Sequence, residues 1–223
     1  MLVNPFLPRV VRPFSMTRTA FYSSSSNSTT HTAAATAFGT ANARREIFII
    51  GRATPGTGVV GSISSVTFGG IAGEVIMQGS YVDGPFAFCA RANVPTGTSG
   101  NIVITFNVAH SFVMFTTLSV INRPVFNDTV YTKSGSGFSS VTSTTGTVLS
   151  VPSDAFVLGH IGKGGSSGFT ISGDFTEQDD TDIGSGAARW ANATCPPGTA
   201  GDKNFNASWT SSSSGAISFF VFR

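Results

Sequence analysis

His31, His110 and His160 are the side chains of this sequence best suited to proton transfer or metal binding near neutral pH. They lie far apart in the chain. Hydrolytic zinc sites draw ligands from short local spacings such as H-x-x-x-H, and none occurs. A structural or surface position is therefore expected for each. The many serines lack the G-x-S-x-G setting that activates a nucleophile at a strand-to-helix turn. Gly135-Ser136-Gly137 and Gly162-Lys163-Gly164-Gly165-Ser166-Ser167-Gly168 are glycine-rich. The second contains a lysine, but it lacks the G-x-x-x-x-G-K-[ST] order of a phosphate loop and no helical pattern follows it.

The acids are equally uninformative about catalysis. Asp174, Glu177, Asp179, Asp180 and Asp182 form the one charge cluster. Its spacing lacks the EF-hand order, so a solvated acidic loop or one that pairs with a neighbour's arginines is expected, with loop-borne calcium as the alternative. Glu46, Glu74, Asp83 and Asp128 are single acids near strand ends, whereas glycoside cleavage needs two carboxylates across a cleft. No catalytic residue, metal or cofactor is expected. Among the aromatics, Tyr81, Tyr131, Trp190 and Trp209 would make a sugar-stacking platform only if exposed together. Trp209 reads as core, and Trp190 is the candidate glycan contact. Cys89 lies in the apolar run Phe86-Ala87-Phe88-Cys89-Ala90 and reads as a buried thiol. Cys195 sits in a Pro/Gly loop and is expected to be exposed. A disulfide between them does not follow from sequence.

What must position these residues is a β architecture. Only 11% of the residues are charged, and the polar load falls on Ser, Thr, Asn and 26 glycines. The runs 30–38, 45–52, 63–69, 73–79, 85–92, 101–108, 111–121, 139–150, 155–161, 167–173, 203–210 and 215–222 are rich in Val, Ile, Thr and Phe and read as strands. Several alternate with period two. Ile102, Ile104 and Phe106 share one face, and Phe205, Ala207 and Trp209 share another. Ile47-Phe48-Ile49-Ile50 is apolar on both faces, as a central strand or an intersubunit contact requires. No 3.6-residue period persists over ten residues, and no apolar stretch reaches membrane-spanning length. The expected fold is an all-β, antiparallel, jelly-roll-like β-sandwich over residues 30–223, preceded by a linker at 24–29.

Residues 1–23 differ from the rest. They hold Arg9, Arg12 and Arg18 with no acid, giving +3, while the remaining ten basic and eleven acidic residues give −1, which sums to the net +2. The near-neutral body argues against nucleic-acid binding. Prolines punctuate this stretch and its apolar residues precede its arginines, an order wrong for a signal peptide. It reads as an extended anchoring arm, with Phe6, Leu7, Arg9, Arg12, Phe14, Arg18 and Phe21 as candidate partner contacts.

The order of motifs adds a resemblance. Val66-Thr67-Phe68-Gly69-Gly70 is followed by Phe86-Ala87-Phe88-Cys89-Ala90-Arg91, then Val94-Pro95-Thr96-Gly97-Thr98-Ser99-Gly100 and Asn101-Ile102-Val103-Ile104-Thr105-Phe106. Phe205-Asn206-Ala207-Ser208-Trp209-Thr210 and Ala216-Ile217-Ser218-Phe219-Phe220-Val221-Phe222 close the chain. This ordered set resembles the β-sandwich module of bacteriophage structural proteins and bacterial surface proteins. Phenylalanines stand at Phe86 and Phe88 where that module carries tyrosines, which weakens any polar ligand site on that strand. The resemblance implies a virion location and a non-catalytic role as a capsid-decoration, cement or head-fibre protein. Its implied partners are other virion proteins (a major capsid, portal, neck or tail protein) and further copies of itself, with no nucleic acid and no membrane. A carbohydrate-binding or adhesive surface module is the alternative.

Overall fold

The computed structural model describes residues 13–55, 60–78, 86–123, 131–183 and 188–222. The described residues form fourteen strands and no helix. The first half of the chain supplies β1 (Ser15–Ser24), β2 (Ser28–Ala37), β3 (Arg45–Pro55), β4 (Ile63–Phe68), β5 (Ile71–Ala72), β6 (Glu74–Gln78), β7 (Phe86–Asn93) and β8 (Ser99–Ile121). The second half supplies β9 (Tyr131–Val151), β10 (Phe156–Gly164), β11 (Thr170–Gly173), β12 (Thr176–Ile183), β13 (Ala188–Cys195) and β14 (Gly201–Phe222). All pairings are antiparallel.

The eight-stranded first sheet runs β5-β4-β8-β3-β7-β6, with β1 and β2 also on β8. It nearly closes into a barrel, because its two end strands, β5 and β6, are joined through Gly73 alone, whose amide continues the β4–β5 hairpin by donating to Val66 O at 2.8 Å. The six-stranded second sheet runs β11-β14-β10-β13-β12, with β9 along β14. The fold is thus all-β and antiparallel, consistent with a β-sandwich.

The two faces of each central strand explain how the sheets join. On β3, Ile47 and Ile49 enter the core inside the first sheet, while Phe48 and Ile50 face the second sheet. The double-sided apolar run seen in the sequence is a central strand. β8 serves both environments in turn. Ile102, Ile104 and Phe106 fill the first core, the register slips between Thr54 and Pro55 opposite it, and Val113 and Phe115 then take over the inward role. A one-residue slip exchanges faces, so Met114, Thr116, Leu118 and Val120 point toward the second sheet. On the second sheet, Phe205, Ala207, Trp209, Ile217, Phe219 and Val221 pack inside, while Phe156, Leu158, Phe220 and Phe222 face the first sheet.

A third core therefore lies at the seam, where Phe48, Phe156 and Phe222 meet with ring centroids 4.9–5.6 Å apart. Each phenylalanine buried there contributes about 2–3 kcal/mol by apolar burial.

Several expectations need correction. The arm expected over residues 1–23 is, from Ser15 to Ser24, strand β1, paired with Val113–Ile121. Its period-two alternation is broken where the register shifts between Arg18 and Ala20. The linker 24–29 shrinks to the residues between β1 and β2. The runs 101–108 and 111–121 are one strand, as are 203–210 and 215–222. The acidic stretch read as a loop is β12, an edge strand whose charges protect an open edge from stray pairing. Cys195 is buried in the second core rather than exposed, and Cys89 lies at the seam; both are free thiols.

Candidate functional site

The chemistry-bearing side chains converge on the seam. Alternation places His160 on β10 and Asn192 on β13 facing the first sheet, opposite Thr116 on β8. Asn192 Nδ2 donates to Thr116 Oγ1 at 2.8 Å and to Ile50 O at 3.3 Å. Its Oδ1 must then accept from His160 Nδ1, 2.7 Å away. Thr116 Oγ1 donates onward to Asp179 Oδ2 on β12. Arg18 of β1 closes the chain on Asp179 through Nη2 at 2.5 Å and Nε at 3.2 Å. Five side chains from five strands so form one continuous polar line across the seam.

Its electrostatics are those of a fastener. Burial, reinforced by the nearby Arg52 charge, lowers the His160 pKa to about 3, with Asn192 opposing the shift. The ring is therefore neutral at physiological pH, and its Nε2 is buried without an acceptor or donor among the described residues. The hydrogen bond to Asp179 raises the Arg18 pKa. His31 and His110 are also buried, one on β2 and one on β8, and desolvation lowers both pKa values. Burial pushes the Cys89 thiol upward, away from the reactive thiolate.

Other charges are spent in the same way. Arg45 is fully buried and donates to the carbonyls of Val94, Gly39, Thr96 and Gly97 at 2.7–2.9 Å. It thereby clamps the Pro95-Thr96-Gly97 turn, where Gly97 adopts φ 69°. Glu46 binds Arg123 at 2.6 Å and Arg91 at 3.4 Å, and Arg91 also meets Glu74. Asp180 binds Arg189 at 2.6 Å and the Phe169 amide at 2.9 Å. The acidic run thus pairs with arginines of its own chain. No group of three His, Cys, Asp or Glu side chains among the described residues is arranged to hold a metal ion.

Two clefts open where the seam reaches the surface, and Trp190 lines both. One, of about 250 Å³, carries Ser23, Ser24, Ser25 and Asp182 above an apolar floor of Met114 and Phe112. The other, of about 190 Å³, carries Arg52, Lys163 and Ser214. Arg52 stacks over Trp190 at 5.2 Å from the ring centroid, and any side chain at Gly162 would collide with that guanidinium.

No family model matches the sequence, and no curated protein or solved structure matches the chain.

Of the residues singled out for partner contact, Phe6, Leu7, Arg9 and Arg12 lie outside the described residues. Phe14 packs against Phe156 at 5.5 Å, Phe21 against Met114 and Trp190, and Arg18 on Asp179. These three serve the fold itself. Trp190 is only 3% exposed, so it offers an edge to the clefts rather than an open stacking face. Sequence reasoning missed Asn192, Thr116 and Arg45. The signal available for Asn192 was its place in the alternation Trp190, Asn192, Thr194, opposite the small residues Ala191 and Ala193.

Proposed function

We propose that this chain is a non-catalytic structural protein of a bacteriophage-type virion, of capsid-decoration, cement or head-fibre kind, joined to its particle through residues 1–12. The observation that carries the reading is the use made of the ionisable groups at the seam. His160, Asp179 and Arg18 are bonded into a line that locks two sheets together, leaving them no role toward a substrate. The ordered motifs from Val66 to Phe222 support the virion part of the reading by their resemblance to phage structural modules. Because β1 belongs to the body, the attaching contacts fall to Phe6, Leu7, Arg9 and Arg12. Their partner is an acidic and apolar groove on a capsid, neck or tail protein, where an extended segment adds to a sheet edge.

Deleting residues 2–12 tests this. The truncated chain is expected to stay folded and soluble while losing association with particles. Normal incorporation of the truncated chain rules out the anchoring role.

One observation favours the glycan-binding alternative: the cleft beside Ser23–Ser25 combines hydroxyls, the Asp182 carboxylate and an indole edge in the volume of about one sugar ring. A glycan screen that shows binding lost on Trp190→Ala supports it, and a flat screen removes it.

A further inference from the structure

Among the described residues, the arginines are spent inside the fold with one exception. Arg18 binds Asp179, Arg45 the carbonyls of one turn, and Arg189 binds Asp180, while Arg52 stacks on Trp190. Arg91 and Arg123 share Glu46, and Arg91 also meets Glu74. Arg44 is exposed, and among the described residues its guanidinium makes no hydrogen bond or ion pair.

Arg44 stands at one end of the first sheet. The start of β3, the end of β7 and the end of β8 meet there, as the pairs Glu46 with Asn93 and Arg45 with Ile121 require. Ala43, Arg44, Glu46, Asn93 and Arg123 line a cavity of about 520 Å³ in this corner. Asn93 is exposed like Arg44. Three guanidinium groups (Arg44, Arg91, Arg123) face two carboxylates (Glu46, Glu74), which leaves a charge of +1.

The same corner is where the attaching segment joins the body. Asn122, just after β8, donates through Nδ2 to Pro13 O at 3.0 Å and through its backbone N to Arg44 O at 3.4 Å. Residues 1–12 precede Pro13 and carry Arg9 and Arg12 with no acid. Basic residues thus stand on both sides of the junction. A surface that meets the segment and the corner together opposes like charges unless it is acidic, and guanidinium groups select carboxylates by charge-assisted hydrogen bonds.

We infer that this cavity receives a carboxylate of the particle protein to which the segment attaches, held by Arg44 with the Asn93 amide as a further donor. Glu46 does not repel that carboxylate, because Arg91 and Arg123 offset its charge. The contact rests on the attachment proposed above and deepens it: the body meets an acidic partner as well as the segment.

The test measures binding of the purified full-length chain to particles depleted of it, by cosedimentation. Arg44→Glu sets like charges face to face and is expected to weaken binding about tenfold, with an unchanged circular dichroism spectrum. Arg44→Lys keeps the charge and is expected to weaken it less. Asn93→Asp adds a negative charge at another lining position and is expected to weaken binding too, a second variant should Arg44→Glu fail to fold. Rising salt should weaken the wild type more steeply than Arg44→Glu. Wild-type affinity in the folded variants overturns the proposal, and loss of binding on deleting residues 2–12 then leaves the attachment standing. Binding that survives the deletion but falls in Arg44→Glu upholds the corner contact and overturns attachment through the segment. A wild-type chain that does not bind overturns both.

Discussion

Asn192 Nδ2 donates to Thr116 Oγ1 across 2.8 Å, so a side chain of the second sheet is bonded directly to one of the first. The same amide holds His160 and the Ile50 carbonyl. Asn192→Leu removes all three contacts and leaves buried polar groups without partners. The expected loss of stability is about 3 kcal/mol, since each orphaned group costs roughly 1–3 kcal/mol. Urea denaturation measures it. Thr116→Val is expected to cost less, and the double variant less than the sum, because the two residues share one network.

Acid is expected to weaken the fold through the buried histidines. The folded pKa of His160 is about 3 against an ordinary value of 6.5, and those of His31 and His110 are also lowered. Below pH 6.5 the unfolded chain binds protons that the folded chain refuses. Stability is therefore full above that pH and falls as pH drops, for His160 by about 1.4 kcal/mol per pH unit until the folded pKa is reached. Urea midpoints at pH 7.5, 6 and 5 should fall in that order. His160→Gln should show a shallower decline.

Arg45 offers a sharper structural test. Its guanidinium satisfies four carbonyls that no shorter or singly donating side chain can reach together. Arg45→Met should destabilise by about 3 kcal/mol, lowering the melting temperature by roughly 6–12 °C for a chain of this size. Arg45→Lys should recover only part of that loss. Differential scanning calorimetry gives both values.

The boundary between segment and body predicts a step in a truncation series. Removing residues 2–12 should move the melting temperature by less than about 2 °C. Removing residues 2–24 strips β1, and with it the stack of Tyr22 on Phe115 and the contact of Phe14 with Phe156. That truncation should fall by more than about 10 °C or fail to fold. Equal melting of the two would remove β1 from the body.

How much was legible in the sequence follows from how local each signal is. The alternation of Ile102, Ile104 and Phe106 and the two-faced run Ile47–Ile50 declared their strands, because period and burial are local properties. Gly69, Gly70 and Gly97, which stand within the motifs that carry the resemblance, each adopt positive φ. β12 was not legible. Four acids in eight residues read as a loop, and only the pairing partner β13 and the facing Arg18 and Arg189 make that strand tenable. β1 was misread as an arm because its partner, β8, lies about a hundred residues away. The seam was illegible for the same reason: Thr116, Asp179 and Asn192 are ordinary until three strands bring them together.

Presence in a particle is measured by mass spectrometry of particles banded on a density gradient. The full-length chain is expected in the particle band at a fixed ratio to the major capsid protein. Recovery of the chain only from the soluble fraction, with none in the band, would contradict the account.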